Sequence, residues 1–93
     1  MTKGNYSYPL DPSWSTEDIT TVLYFLSLVE KAYETKVDKA ELLKAYKIFK
    51  TVVPGKAPEK RLDKEFQAAS GFSIYHAVQA AQKEDKRWVS LGK

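Results

Sequence analysis

The feature that most constrains this chain is the run Ile19–Tyr33, ITTVLYFLSLVEKAY, which is apolar on nearly every side of a helix. Ile19, Val22, Leu23, Leu26, Val29 and Tyr33 recur at helical spacing and share one face at 3.6 residues per turn. Tyr24, Phe25, Leu28 and Ala32 fall on roughly the opposite side. Only Thr20, Ser27, Lys31 and Glu34 leave a polar strip. A helix apolar on most sides is buried on most sides. In a chain of 93 residues it is therefore either the central helix of a bundle or a helix that keeps one face for a partner.

The length bounds the answer further. A chain of this size makes one domain with one modest core, burying roughly 60–65% of its unfolded surface. There is no cysteine, which excludes disulfides, thiolate zinc sites and a thiol nucleophile, and fits a reducing compartment. The beginning, MTKGNYSYPLDPSW, lacks the charged-then-apolar pattern of a signal peptide. The long apolar run is interrupted by Ser27 and carries Glu30 and Lys31, short of a membrane span. The expectation is a soluble cytoplasmic protein with no membrane association.

Asn5–Trp14 reads as an extended arm, because Pro9 and Pro12 are excluded from helix interiors and bias Tyr8 and Asp11 towards extended backbone. Its Tyr6, Tyr8, Leu10 and Trp14 either cover the second apolar face of the first helix or form an aromatic docking strip. Ser15 is placed to cap a helix over about 16–35, with Glu17 and Asp18 in the first turn, where the dipole favours acids. Asp38 and Glu41 form a capping-box-like pair, with Val37 and Leu42 set for a hydrophobic staple, at the start of a helix over about 38–53. Leu42, Leu43, Tyr46, Phe49 and Val53 are its inward face, with Ala45 and Val52 at one edge. Pro54-Gly55 ends it. Lys56–Pro58 is a connector, and Pro58 suits the first turn of a third helix over about 58–70, with Leu62, Phe66 and Ala69 inward. Gly71 can cap it, and Ser73 can cap a fourth helix over about 73–85, with Ile74, Ala77, Val78 and Ala81 inward. Residues 86–93 read as a frayed tail from which Trp88, Val89 and Leu91 could pack back, and there is no strand-like alternation. The fold class is all-α: a compact four-helix bundle, residues 1–93, with an extended N-terminal arm.

No residue pattern declares a reaction. His76 is the only histidine, and a metal site needs several ligands at defined spacing; an exposed histidine on a helix surface is expected. Glu17/Asp18, Glu30/Glu34 and Glu84/Asp85 read as charged helix surface or helix ends. No serine sits in a glycine-framed elbow, and Gly55 and Gly71 are isolated rather than part of a phosphate loop. The expectation is no catalytic residue, no metal and no cofactor.

The charge is more informative. Residues 1–43 carry 4 basic and 7 acidic side chains, residues 44–64 carry 7 and 2, and the remainder 4 and 3. A basic middle on a chain of net charge +3 points to a local anionic contact rather than a general nucleic-acid coat. Its densest part is Lys56, Lys60, Arg61 and Lys64, beside the start of the third helix. The competing reading is a solvated face with interleaved Glu59, Asp63 and Glu65 and an i,i+4 pair Arg61–Glu65 worth a few tenths of a kcal/mol, about 0.2–0.5. Lys44, Lys47 and Lys50 add a basic side to the second helix, and the last two helices form a helix–Gly–helix pair, which invites a DNA-binding reading. Yet Lys83 is the only basic residue on the fourth helix, too few for groove entry.

Three blocks carry a resemblance: Tyr6-Ser7-Tyr8-Pro9-Leu10-Asp11 followed by Trp14-Ser15-Thr16-Glu17; Val53-Pro54-Gly55-Lys56-Ala57-Pro58-Glu59-Lys60-Arg61; and Ser70-Gly71-Phe72-Ser73-Ile74-Tyr75. Over Asn5 to about Ala81 the chain resembles the small uncharacterised family typified by YktA of Gram-positive bacteria. The resemblance implies a compact helical fold and the bacterial cytoplasm, and supplies no catalytic residues, ligand or partner.

Taken together, the chain is expected to be a non-enzymatic protein-interaction or regulatory module. Tyr6, Tyr8, Trp14, Tyr24 and Leu28 are its candidate interaction face, and Lys56, Lys60, Arg61 and Lys64 its candidate anion or partner contact. The partner is expected to be another protein or a second copy. The alternative is a binder of nucleic acid or a phosphorylated ligand at Lys56–Lys64.

Overall fold

In a computed structural model the described residues are 10–91. They form α1 (Thr16–Glu34), β1 (Val37–Asp38), α2 (Lys39–Val52), α3 (Lys56–Ser70), α4 (Ile74–Lys83) and β2 (Trp88–Val89). The four-helix expectation holds, with α1 packed most extensively on α2, and α4 closing against both.

α1 begins at a reciprocal box. Ser15 Oγ accepts from Asp18 N–H at 3.1 Å, and the Asp18 carboxylate accepts from Ser15 N–H at 3.3 Å, satisfying two of the amides that a helix start leaves orphaned. Val22, Phe25, Leu26, Leu28, Val29 and Ala32 are all buried, so both apolar faces turn into the core and α1 is the central helix. This corrects the expectation of a surplus face. Leu28, a candidate interaction residue, is only 4% exposed, because burying an aliphatic side chain is worth about 1.5–3 kcal/mol and the bundle has partners for it. Of that second face Tyr24 alone stays largely outside, its hydroxyl donating to the Glu41 carboxylate.

α2 meets α1 through rings. Phe25 stacks on Phe49 with centroids 4.6 Å apart, and Tyr46 lies 5.6 Å from Phe25, offsets typical of favourable aromatic pairs. Asp38 caps α2 through Ala40 N–H and Glu41 N–H. Glu41 does not return the bond in a box, since its carboxylate takes the Tyr24 hydroxyl. The fully buried set of α2 is Leu42, Ala45 and Phe49, followed by Val53 at the C-cap; Leu43, Tyr46 and Val52 are half-buried around it.

Two expectations at helix boundaries change. Lys56–Pro58 is not a connector, because α3 starts at Lys56 with Gly55 as N-cap. A Cβ on Gly55 would lie 3.2 Å from Pro58 Cδ, so a capping side chain there would press on the early proline. Ala69, expected inward, is exposed, which leaves Leu62 and Phe66 as the buried residues of α3. Gly71 ends α3 with φ +84°, its N–H donating to Gln67 C=O at 2.8 Å. Glycine adopts this left-handed conformation without the Cβ clash. All four residues expected inward on α4 are buried.

The tail is not frayed over its described part. Trp88–Val89 pairs antiparallel with Val37–Asp38, Val37 opposite Val89. Lys39 N–H donates to Arg87 C=O and Leu91 N–H to Ala32 C=O, each at 2.7 Å. Val37 and Val89 are buried beneath this ribbon. The described end of the arm also differs from expectation. Trp14 N–H donates to Asp11 C=O at 3.0 Å, and Asp11 Oδ1 accepts from Ser13 N–H and Oγ–H, an Asx turn instead of extended chain. Those two bonds hold the Asp11 carboxyl below its ordinary value. Trp14 packs half-buried against the core. Among the described residues no helix is long and apolar enough to cross a membrane.

Candidate functional site

The four cations of the basic cluster do not line one cleft. All lie on α3, but a helix turns about 100° per residue, so Arg61 stands about 140° around from Lys56, while Lys60 and Asp63 remain within about 40° of it. Lys56 and Lys60 border a cleft of about 240 Å³ with Tyr46, Glu59, Asp63, Ile74 and Tyr75. Arg61 borders another, of about 440 Å³, formed by Leu10, Pro12, Trp14, Val53, Pro54 and Leu62, with Asp11 and Glu65 at its polar margin. Lys64 lines neither. The Arg61–Glu65 ion pair expected from spacing does not form. Trp14 joins the larger cleft, Tyr24 lies on α1 beside Glu41, and Leu28 is core. Tyr6 and Tyr8 lie outside the described residues.

The smaller cleft is built where α2, α3 and α4 converge. Glu59, one turn into α3, accepts from Tyr46 Oη at 2.9 Å and from Lys50 Nζ. Burial first, then the bond to Glu59, pushes the Tyr46 phenol up to about 12, so it stays a neutral donor. Asp63, a turn further on, accepts from Ile74 N–H at 2.8 Å and Tyr75 N–H at 3.3 Å. These are orphan amides of the α4 start, where the dipole favours an anion. The next amide, of His76, donates to Ser73 Oγ at 3.1 Å, and that of Ser73 donates to Tyr33 Oη at 3.2 Å. The start of α4 is thus satisfied by protein groups.

Both carboxylates of the cleft are therefore engaged inside the fold. Lys56 and Lys60 are exposed, and neither forms a hydrogen bond or ion pair with another described residue. On the α4 side the cleft is lined by the buried Ile74 and by Tyr75, which is 57% exposed. His76 is exposed on α4, 5.6 Å from the Tyr75 ring. Among the described residues no three His, Cys, Asp or Glu side chains converge on a metal position.

Sequence reasoning missed Tyr46, Glu59, Asp63 and Tyr75 as parts of this cleft. A signal was present: Lys56, Lys60 and Asp63 follow i, i+4, i+7, one helical face. It also missed Trp88, 42% exposed, with Lys36 Nζ 4.8 Å and Arg87 Cζ 5.0 Å from its ring centre. Arg87 Nε donates to Asp38 at 2.9 Å, which holds that carboxyl below its ordinary value.

Residues 5–90 match the sequence profile of an uncharacterised protein family, UPF0223. The chain belongs to this family. It is 75% identical over all 93 residues to the UPF0223 protein str0998 of Streptococcus thermophilus, covering the whole of both chains. It is 59% identical, again over the full length of both, to the UPF0223 protein gbs1030 of Streptococcus agalactiae. A UPF0223 protein of Streptococcus mutans is 58% identical over 91 residues, 98% of each chain. The expectation of an uncharacterised bacterial family is met at that level. The family description attaches no reaction to the cleft, so its chemistry rests on the residues themselves.

Proposed function

We propose that this protein is a non-enzymatic interaction module that docks another protein on the α2–α3–α4 cleft. One observation carries the reading: Lys56 and Lys60 stand unpaired among the described residues beside an apolar cleft whose own carboxylates are already bonded. Pockets for cofactors and drug-sized ligands run to about 300–1,000 Å³. A cleft of about 240 Å³ suits one side chain of a partner better. A binding role is also supported by the engagement of Glu59, Asp63 and Tyr46, since groups locked in structural bonds are poor proton carriers. The affiliation with the YktA type and a cytoplasmic location belong to this reading as well.

The alternative, a nucleic-acid or phosphorylated-ligand binder, would need Lys56, Lys60, Arg61 and Lys64 to act in concert. Their separation around α3 weighs against it, because such binders track phosphates along a continuous cationic groove.

The test is a photo-crosslinking amino acid placed at Tyr75, with Tyr24 as the control position, in cells that make the protein. A discrete protein adduct from position 75 and none from 24 is the expected result. Adducts of equal yield from both positions, or none from 75, would refute docking at the cleft.

A further inference from the structure

We infer that the occupant of this cleft is an acidic segment of the partner, entering with one apolar side chain while its flanking carboxylates meet Lys56 and Lys60. The inference rests on the docking reading above and adds the chemistry of what docks. Three observations on the cleft carry it.

The first is charge. Glu59 is bonded to Tyr46 and Lys50, and Asp63 to the α4 amides. A basic segment would face two ammonium groups and find no carboxylate to spare. A neutral one would desolvate both lysines without repayment, which costs more the deeper it docks. An acidic one pairs them without breaking any bond of the fold, and steers association from a distance. The second is the kind of cation. The cleft is bordered by lysines and no arginine, so its cations are flexible point charges, which can follow a mobile carboxylate without demanding one fixed approach. The third is the apolar share. Ile74 forms a buried wall, and Tyr75 presents an exposed ring at the rim, the amphipathic residue type that most often dominates protein contacts. A run of carboxylates alone would leave that ring unused.

A phage-displayed library of random dodecapeptides, panned on the immobilised full chain and counter-panned on the bare support, tests the inference. The peptides expected to enrich carry net negative charge around an aromatic or large aliphatic residue. Synthesised and titrated, they should shift the amide resonances of residues 56–63 and 74–75. They should bind at least tenfold more weakly to K56E/K60E, and more weakly to Tyr75→Ala. Both variants change exposed side chains, and their amide spectra establish that they fold. Enriched peptides that map to the cleft but are neutral or basic, or that bind K56E/K60E undiminished, would overturn the acidic assignment and leave the docking reading standing. Peptides that map elsewhere, or no enrichment, would overturn both.

Discussion

α1 and α3 are of similar length and opposite character. α1 buries six side chains, starts at a two-way capping box and is covered on both apolar faces. α3 buries Leu62 and Phe66, starts at a glycine with no side-chain cap, and turns three lysines and an arginine outward. The difference separates a helix committed to the core from one that is largely surface. α1 is held by apolar area, which is non-directional, and of its large apolar side chains only Tyr24 stays largely exposed. α3 is held by two anchors and by the polar bonds of Glu59 and Asp63, and most of its other residues are exposed among the described residues.

The contrast breaks most readily at the α1–α2 seam. Phe49→Ala is expected to cost about 3–5 kcal/mol, the usual cost of emptying a buried ring site. That is a large part of the about 5–15 kcal/mol that holds a small domain together. Urea unfolding measures it, and a loss below about 1 kcal/mol would mean that the seam is not the core. Gly71→Ala should cost about 1–2 kcal/mol, since φ +84° places a Cβ in the left-handed region; space is not the issue, because no atom beyond its chain neighbours lies within 4 Å of the added carbon. The two helix starts should respond differently. Ser15→Ala should lose about 1 kcal/mol, whereas Gly55→Ser should gain nothing from a new cap, its Cβ pressing on Pro58. A clear gain at Gly55 would show that the crowding is easily relieved. K56E/K60E should change stability by no more than about 0.5 kcal/mol, and a larger loss in thermal unfolding would make these lysines structural.

The cleft also has a pH signature. The folded Tyr46 phenol, at about 12, lies above its ordinary value of 10.0. The unfolded chain therefore releases this proton first as pH rises. The stability contribution is complete below about pH 10 and declines until the pH passes about 12. Near-ultraviolet absorbance of the folded protein should show a phenol titrating near that upper value, and Tyr46→Phe should remove it.

Much of this was legible in the sequence, and the reason is local. Ile19–Tyr33 is apolar over most of its circumference, so it had to be a helix with at least one face in the core. Ser15, Asp38 and Ser73 mark helix starts by accepting from amides two or three residues on, Gly71 ends α3 through its own N–H to Gln67 C=O, and α4 displays its buried face in a single 3.6-residue period. What the sequence could not decide was which distant groups meet. Two-residue strands leave no periodicity to read, so the ribbon of Val37–Asp38 with Trp88–Val89 emerged only when the tail folded back over α1. Leu28 belonged to a face that sequence alone left open, and tertiary packing covered it. The basic cluster was contiguous in the chain but divided by the rotation of α3. Glu59 and Asp63, read as interleaved surface acids, acquired their partners from α2 and α4, and Lys56 and Lys60 stand at the cleft without a partner among the described residues.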